Sequence, residues 1–481
     1  MKSLFRGAFL RGVSATVLSA SLVACTANPQ PLNRPGDLPP SFTGLSNKSA
    51  PVWPKAAWWA GFGSEELTPL EETAQKENLD IAQAAARVLQ AEANDGIALA
   101  ALFPSLGANF GVSRSGGNSN IPRARTAFSA GLTASYQQGF FGTQYFQLQA
   151  AREDLRAARY AAAVTGISIS TQVADEYFSI LAFRERIALV NANIAAAKRI
   201  LAVTQAKVNS GVSSNLDLAE QQAFTAQLES TLPGLIESEK EARWSLAILL
   251  GRAPEGFDIK AQNLDGIVAP SVQPGLPSEL LLRNPSVAQA EAQLYAQHAN
   301  VDYARSLYFP SLDLSGSIGE GNSSSISNLF SAGAFVWAIS GSVVQNIFDG
   351  GRIHAQNDSA RAQQQELIAA YRKTVFIAFQ DVETALGQMK ATTDQLALVD
   401  TQTRADAEAF RISELQYREG TIEIVSLLNN QQSLFVAQQS LVLVKLGRLQ
   451  AYLSLYNALG GGWEQKTDDA AYKNQLDWWP L

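Results

Sequence analysis

The stretch GTIEIVSLLN at residues 420–429 decides the fold of this chain, and a weaker copy, GVSSNLDLAE, occurs at residues 211–220. In each copy a glycine (Gly211 or Gly420) interrupts a long segment with helical spacing, and helical spacing resumes after a short turn. Glycine suits this position because it adopts the positive φ that ends a helix without steric cost. Each copy therefore predicts the turn between two long antiparallel helices, and the two copies together predict a duplicated architecture.

The segments that flank the two turns carry apolar residues at seven-residue intervals. Such a sustained repeat is typical of a supercoiled packing seam. The helix predicted over about residues 144–209 would be ~100 Å long at ~1.5 Å per residue. Its apolar column is narrow and its other positions are polar, which favours a hollow cylinder of paired helices over a solid bundle. The four columns are Val173, Ile180, Ile187, Ile194, Leu201 and Val208; Leu228, Leu235, Ala242 and Leu249; Ile368, Val375, Val382, Met389 and Leu396; and Leu428, Phe435, Val442, Leu449 and Tyr456.

Two segments of the chain change from helical spacing to strict alternation. A helix predicted over about 65–101 ends at Phe-Pro-Ser-Leu (103–106), and a second, over about 276–307, ends at the same tetrapeptide (309–312). Alternation of apolar and small or polar residues then predicts a β-hairpin after each tetrapeptide. The outward positions of these strands are only modestly apolar, with many Gly, Ser and Ala residues. Strands are expected at about 106–112, 128–136, 312–318 and 333–346, with polar loops at 115–123 and 319–328.

The order helix, two strands, long helix, turn and long helix therefore occurs twice. Matching sites in the two halves recur at nearly constant spacing; Phe141 and Phe348, for example, lie 207 positions apart. The predicted organisation is a leader (1–24), an extended tether (25–55), a first repeat (56–275), a second repeat (276–460) and a polar C-terminal tail (461–481).

The N-terminus carries a secretory signal. Lys2, Arg6 and Arg11 precede a small, apolar segment that ends in LVAC at residues 22–25. These four residues resemble the bacterial lipobox, which implies cleavage before Cys25 and attachment of lipid to it; the alternative is an ordinary signal peptide with an incidental cysteine. Cys25 is the only cysteine in the sequence, so it has no intramolecular disulfide partner. By resemblance to known lipoproteins, Thr26 favours the outer membrane.

After the leader, the sequence contains no run of about 18 apolar residues, so any membrane crossing is expected to use strands. Strands cross a bilayer only as a closed barrel. Four strands cannot close a barrel, and a barrel with an open lumen needs more than about eight. Three copies, which would contribute twelve strands, are the smallest assembly that leaves a useful lumen.

Composition and motifs argue against several other functions. The formal charge of −7 and the absence of a basic run argue against nucleic-acid binding. His298 and His354 lie in helical segments without Cys, Asp or Glu at ligand spacing, so no metal site is predicted. No nucleophile elbow, phosphate-binding loop or dinucleotide motif is present. We therefore expect neither an enzyme nor a cofactor, apart from the covalent lipid at Cys25.

Together these features resemble the outer membrane efflux protein family, the TolC-like outer membrane factors, and most closely its lipid-anchored NodT-type branch. The fold class that this implies is an α+β membrane protein in which three subunits form a twelve-stranded barrel that continues into a periplasmic barrel of helices. The resemblance also implies the exit duct of a tripartite efflux or export system, with a periplasmic adaptor, an inner-membrane pump of the RND type and outer-membrane lipid as partners. The similarity is carried by Leu22-Val23-Ala24-Cys25, Trp58-Trp59, Phe62, Leu276-Pro277-Ser278, Arg283-Asn284-Pro285, both Phe-Pro-Ser-Leu sites, both glycine turns and Ala458-Leu459-Gly460-Gly461-Gly462-Trp463.

The resemblance also assigns roles to residues at the turns. The adaptor would dock on the tips of the helical hairpins, at Gly211, Val212, Gly420 and Thr421. The aperture would lie just past the tips, at Asp217 and Glu220 in the first copy and at Ser426 and Asn429 in the second. Because Ser426 and Asn429 replace aspartates that are common in the family, this aperture is expected to be less acidic than usual. The alternative is that Asp217 and Glu220 only complement the dipole at the start of a helix.

One motif departs from the family pattern, and one competing interpretation of the whole chain stays open. Arg283-Asn284-Pro285-Ser286 departs from the family's Arg-Arg-Pro-Asp, so a local salt bridge is expected to be missing there. The competing interpretation of the whole chain is a periplasmic coiled-coil lipoprotein that acts as an adaptor or scaffold without a pore. It accounts for the leader, the tether and the heptads, but not for two strand pairs at matched positions.

Overall fold

The computed structural model of the chain describes residues 42, 52–116, 125–270, 272, 275, 277–323, 325–326 and 335–463. Cys25, the leader and most of the predicted tether and tail lie outside these residues. A 3₁₀ turn at Trp58–Phe62 comes first. The elements that follow are α1 (Leu67–Glu77), α2 (Leu79–Ala100), β1 (Ser105–Ser115), β2 (Arg125–Gly139), α3 (Thr143–Asn209), α4 (Asn215–Leu249), α5 (Pro277–Arg283), α6 (Pro285–Ser306), β3 (Ser311–Ser323), β4 (Phe335–Val344), α7 (Arg352–Glu419) and α8 (Ile424–Ala458).

The same order of elements occurs twice along the chain. A helix pair is followed by two strands, a long helix and a shorter return helix. The long helices α3 and α7 have 67 and 68 residues, and the return helices α4 and α8 have 35 each. The predicted helical hairpins and strand pairs are therefore present, with bounds within a few residues of those predicted.

The two shorter helical runs differ from the prediction, because each is broken in the middle by an asparagine. The run expected over 65–101 is split at Asn78, and the run expected over 276–307 is split at Asn284. The Asn78 carboxamide oxygen accepts hydrogen bonds from the N–H groups of residues 80 and 81, and its amide donates to the carbonyl of Leu249 (2.8 Å). Asn284 makes the corresponding bonds to residues 286 and 287 and to the carbonyl of Ala458 (3.2 Å). Each asparagine thus caps the start of one helix and bonds the end of another.

The four strands form one antiparallel sheet in the order β1-β2-β3-β4. Strand β3 continues to Ser323, so the prediction of a loop from residue 319 was wrong for residues 319–323. The backbone there is paired on both sides, since Gly319 lies opposite Gly131 of β2 and Val336 of β4. Pairing with two neighbours outweighs a glycine- and serine-rich composition that, taken alone, favours a turn.

The chain divides into two compact units. The sheet unit comprises Gln90–Ala157 and Ala290–Arg372, and the helical unit comprises Ala158–Gln289 and the residues from Lys373 onward, together with the first helical segments up to Leu89. In the helical unit, aromatic side chains form a core: the Trp58 and Tyr456 rings stack at 4.8 Å, and the Phe62 and Phe178 ring centroids are 5.1 Å apart.

An arginine holds the irregular segment after α4 in the helical unit. The Arg184 guanidinium donates to Glu239 (2.9 Å), to Asp258 and to the carbonyl oxygens of residues 259 and 261 (2.7 and 2.8 Å). Glu66 accepts from the N–H groups of residues 260 and 261. Charge-assisted bonds of this kind are stronger than neutral ones, so a segment without regular structure is fixed to α3 and α4.

Among the described residues, one helix (α3) has an 18-residue window that is apolar enough, by length and composition alone, to cross a bilayer. The sequence analysis looked for an uninterrupted apolar run and predicted no transmembrane helix. The average over a window is a less strict criterion, and by it that prediction does not hold. The most apolar part, residues 187–204, includes two asparagines, Lys198 and Arg199. Its apolar side chains Val190, Ile194 and Ala197 pack in a core cluster with Phe224 and Leu228 of α4. A helix that packs against other helices inside a protein can meet the same criterion of length and composition.

Candidate functional site

The four-stranded sheet has two chemically different faces. Directly opposed residues of antiparallel strands lie on the same face, so the register sorts every side chain. One face is mainly apolar, with the polar residues Arg114, Gln138 and Glu320 at positions of this face near the strand ends. Its apolar and small residues are Leu106, Ala108, Phe110 and Val112 of β1, Phe128, Ala130, Leu132, Ala134 and Tyr136 of β2, Leu312, Leu314, Gly316 and Ile318 of β3, and Trp337, Ile339, Gly341 and Val343 of β4. The other is rich in Ser, Gly, Asn and Thr, and is formed by residues such as Asn109, Ser129, Thr133, Ser135, Asp313, Ser315, Ser317, Ser340 and Ser342.

The apolar face also contains small residues such as Ala108, Ala130 and Gly316, which agrees with the expectation that the outward positions are only modestly apolar. The small residues Gly and Ser are concentrated on the polar face, while Leu106, Phe110 and Ile339 of the apolar face are largely exposed in the single chain. At ~3.3 Å per residue the apolar positions of β1 and β2 cover roughly 20–25 Å, close to the apolar band of an outer-membrane barrel. The sheet is therefore built to separate lipid from water.

The sheet is open at both edges within the single chain. Strand β1 pairs only with β2, and β4 pairs only with β3, among the described residues. An edge strand presents unpaired N–H and C=O groups that are costly in a bilayer, which offers them no hydrogen-bond partner. In a bilayer these two edges would therefore need further strands to pair with.

The two predicted hairpin tips are turns, as the sequence indicates. Gly211 and Gly420 adopt φ values of +75° and +80°, in the left-handed region. After Gly211 the N–H of Val212 returns to the carbonyl of Lys207 (2.9 Å), and after Gly420 the N–H of Thr421 returns to the carbonyl of Gln416 (2.9 Å). The Val212 side chain is 73% exposed, and Thr421 is exposed as well. Both tips thus present side chains to solvent in the single chain.

At the first tip, Asp217 belongs to a capping box at the start of α4. The Asp217 N–H donates to the Ser214 hydroxyl (3.1 Å), and the Ser214 N–H donates to the Asp217 carboxylate (3.0 Å). The Ser213 hydroxyl donates to the same carboxylate oxygen. The Ser213 hydroxyl and then the Ser214 N–H hold the pKa of Asp217 below its usual range. The structure therefore gives Asp217 the helix-start role that the sequence analysis left open beside a pore role, and the two roles are compatible.

The second tip is built differently. Glu423 occupies the N-cap of α8 without a side-chain capping bond, and the positions that correspond to Asp217 and Glu220 hold exposed Ser426 and Asn429. In the first tip, Glu220 is half-buried, and one of its carboxylate oxygens has no hydrogen-bond partner among the described residues. Fixed negative charge at these four positions therefore comes only from the first tip.

Contacts between the two hairpins near their tips were not predicted from the sequence. Lys207 of α3 donates to the Tyr417 carbonyl, and its ammonium lies 4.0 Å from the centroid of the Tyr417 ring. The Thr204 and Tyr417 hydroxyls are 2.9 Å apart and buried. Ile200, Ile424 and Leu427 complete a small core there. The available signal was an aromatic residue three positions before Gly420, but a sequence without an alignment does not reveal its partner.

The described residues include no group of three or more His, Cys, Asp or Glu side chains that could hold a metal ion. His298 lies 3.0 Å from the Gln364 amide and 3.7 Å from Asp302. His354 lies 3.7 Å from Asp358. The expectation that no acidic residue stands at ligand spacing from either histidine was therefore wrong: Asp302 and Asp358 each lie four residues after a histidine, where the two side chains share one face of the helix. Each histidine thus contacts an aspartate of its own helix.

Comparison with known proteins agrees with this arrangement. The family described as Outer membrane efflux protein matches residues 70–252 and 276–461. The chain is 33% identical to the pyoverdine export outer membrane protein OpmQ of Pseudomonas aeruginosa over 95% of this chain and 99% of OpmQ. It is 28% identical to the probable outer membrane lipoprotein SilC of Salmonella typhimurium over 94% of this chain and 98% of SilC. The open-state structure of the MtrE outer membrane channel of Neisseria gonorrhoeae superposes with a TM-score of 0.80 at 28% identity, covering 89% of this chain and 96% of MtrE.

A two-faced, open-edged sheet joined to long helical hairpins defines an outer-membrane channel of an efflux or export system, with a TolC-like fold. The chain belongs to the outer membrane efflux protein family. The relatives that it matches are named as channels and efflux components rather than as enzymes.

Proposed function

We propose that three copies of this chain form one continuous exit duct. The observation that carries the proposal is the two-faced sheet with two open edges. Three such sheets, joined edge to edge, give twelve strands with the apolar face toward lipid and the polar face around a water-filled lumen. A scaffold without a pore would need neither the separation of the two faces nor the exposed apolar side chains.

We further propose that lipid attached to Cys25 anchors each copy to the outer membrane. The LVAC sequence supports this, and SilC, a relative over almost its whole length, is named as a lipoprotein. The anchor adds membrane affinity to that of the sheet.

The hairpin tips are proposed to dock on a periplasmic adaptor that works with an inner-membrane pump of the RND type. Val212 and Leu216 of the first tip and Val425 of the second are exposed apolar side chains in turns or first helical turns. Exposed apolar groups that are clustered at a tip suit a protein partner. Three copies of Asp217 would face one another near these tips and form the narrowest part of the duct.

The test of the duct is to purify the full chain in detergent, measure its oligomeric state and insert it into planar lipid bilayers. We expect trimers and stepwise ohmic currents. A monomer, or a trimer that leaves the bilayer resistance unchanged, would contradict the proposal and favour the scaffold.

A further inference from the structure

A cavity of about 380 Å³ lies in the helical unit, where three segments that are distant in the sequence meet. Its walls come from the segment before the 3₁₀ turn, from the end of α5 and from the loop after α8. The residues that matter here are Trp53, Lys55, Arg283, Gly460, Gly462 and Trp463. Both tryptophans are half-buried, and the lysine and the arginine are exposed. This size, with aromatic walls and a few polar groups, is typical of a small-molecule site.

The two cations of this cavity have no anionic partner. Among the described residues, no hydrogen bond or ion pair involves the side chain of Lys55 or of Arg283. The Arg283 guanidinium carbon lies 4.7 Å from the centroid of the Trp53 ring. Stacking of this kind orients the guanidinium and leaves the N–H donors at its edge available. In a chain with a formal charge of −7, the cavity therefore brings together two positive charges that no carboxylate neutralises.

The loop after α8 adds a fixed backbone donor to the cavity. The N–H groups of Gly460, Gly461 and Trp463 donate to carbonyl oxygens, whereas the Gly462 N–H has no hydrogen-bond partner among the described residues. Gly462 has a φ of +71°, and a Cβ there would overlap the Lys55 carbonyl oxygen, so the loop packs closely on the segment that carries Lys55. Backbone N–H groups in turns of this kind form concave anion sites.

We propose that this cavity binds a small organic anion, in which a carboxylate is joined to a flat, apolar body. The carboxylate would accept hydrogen bonds from the Arg283 guanidinium and the Gly462 N–H, with Lys55 as a second positive charge. The body would lie against the Trp463 ring, which Tyr160 supports at a centroid distance of 5.6 Å. An inorganic anion would leave the indole walls uncovered, and a neutral aromatic molecule would leave both cations unpaired. The site lies within one chain, so it does not depend on the number of copies.

The probe for this site is 2-naphthoate, which has a carboxylate on a flat, apolar ring system. Two matched compounds separate its parts: 2-naphthamide has the same rings without the charge, and acetate has the charge without the rings. Isothermal titration calorimetry on the full chain in detergent measures the binding. We expect one saturable site per chain for 2-naphthoate, with a Kd of about 1 mM or below. We expect the affinity of either matched compound to be at least about tenfold weaker, since each lacks one half of the recognition.

Variants of the cavity locate the binding. Arg283→Gln should weaken 2-naphthoate binding by about tenfold or more, because it removes the charged, two-point donor. Lys55→Gln should weaken it by about threefold, since an exposed, flexible cation contributes less. Glu279→Gln should strengthen it, because Glu279 places a negative charge one helical turn before Arg283. Arg87→Gln is the matched control, since Arg87 is an exposed residue of α2 outside the cavity. Titration of Arg283→Gln in the same detergent also corrects for partition of the probe into micelles.

Thermal unfolding gives a second readout of the same site. Without the probe, it shows whether each variant is folded. With the probe, the midpoint should rise for the wild type and for Arg87→Gln and stay unchanged for Arg283→Gln, because a ligand that binds the folded state stabilises it. Equal affinities for the wild type and Arg283→Gln, or equal affinities of 2-naphthoate and 2-naphthamide, would overturn the proposal. The absence of saturable binding to the wild type would overturn it as well. Should Arg283→Gln fail to fold, an affinity of folded Lys55→Gln equal to that of the wild type would do the same.

Discussion

Asp217 combines a local structural role with a charge that lies near the proposed aperture. The Ser213 hydroxyl and the Ser214 N–H bond its carboxylate and lower its pKa. In a trimer, three carboxylates in a narrow neck would raise one another's pKa values. The hydrogen bonds within each chain oppose that effect, so we expect Asp217 to stay charged at neutral pH and to favour cations.

The variant Asp217→Asn separates the two roles, since an amide oxygen still accepts the Ser214 N–H while the charge is lost. We expect weaker cation selectivity in planar bilayers, measured from reversal potentials in a salt gradient, with little change in thermal stability. Ser426→Asp is the reciprocal variant and should strengthen cation selectivity. Unchanged reversal potentials in both variants would rule out these positions as the constriction.

Glu71 is a second residue with an unusual environment. Its side chain is fully buried in the helical unit, and no described residue makes a hydrogen bond of normal geometry to either oxygen. Burial raises the pKa of Glu71 well above its usual value, and the nearby Ser170 hydroxyl offsets only part of this. In the folded protein the group is therefore neutral over a pH range in which the unfolded chain, with a pKa near 4.3, is already ionised.

Because the folded pKa is raised, the stabilisation that Glu71 contributes is complete below about pH 4 and is lost as the pH rises through the folded pKa. Glu71→Gln removes this dependence. We expect the variant to gain stability relative to the wild type as the pH is raised from 4 to 8, by about 1.4 kcal/mol for each unit of the pKa difference that is titrated. Urea unfolding at several pH values measures this, with exposed Glu72→Gln as the control. A pH-independent difference would contradict the assignment.

Among the secondary-structure elements, the two asparagine caps show how the repeat positions its helices. Asn78 and Asn284 each begin one helix and bond the last turn of another through Leu249 or Ala458. We expect Asn78→Ala and Asn284→Ala each to destabilise the fold by about 1–2 kcal/mol, since each loses an N-cap and a buried bond. Serine at either position keeps the cap acceptor and should lose less. Thermal unfolding of the four variants tests this; equal losses from Ala and Ser would contradict a capping role.

The helices and strands also show which structural features the sequence alone predicts. Seven-residue columns and positive-φ glycines gave the long helices and both tips within a few residues. The break at Asn78 was not predicted, because the amide of this residue also bonds the Leu249 carbonyl, 171 positions away, and a local pattern does not contain that contact. Likewise, the motif indicated only that a salt bridge is missing at Asn284, and it did not indicate that this side chain is a buried cap. The extension of β3 past Gly319 depends on strands on both sides, which a local pattern does not contain.

The candidate site was predictable to a similar degree. The positions of Gly211 and Gly420 follow from backbone chemistry and are turns in the structure. The sequence analysis considered that Asp217 complements the helix dipole but did not identify its capping box, although Ser214 and Asp217 stand three residues apart as such a box requires. The Lys207–Tyr417 contact joins residues 210 positions apart and needed the fold. The alternation along the strands was visible in the sequence, whereas the register was needed to show that the apolar positions of all four strands share one face.

For the whole molecule, the two faces of the sheet lead to a direct test. Leu132 lies on the apolar face and its neighbour Thr133 on the polar face of the same strand. A lysine on the lipid side of a barrel costs about 2–4 kcal/mol at the bilayer midplane, whereas a lumen position tolerates charge. Leu132→Lys should therefore reduce the heat-resistant trimer in outer-membrane fractions, and Thr133→Lys should leave its amount near that of the wild type while changing conductance. The opposite ranking would mean that the faces are assigned the wrong way round.

The unpaired edges of the sheet also have a consequence for biogenesis. A newly secreted single copy would carry an apolar surface and two free strand edges through the aqueous periplasm, the features that promote aggregation. In the proposed trimer, closure of the sheet would therefore coincide with the meeting of three copies at the bilayer, or a chaperone would shield each copy during transit. At low expression, when copies rarely meet, unassembled chains should be cleared by quality-control proteases rather than accumulate as stable monomers.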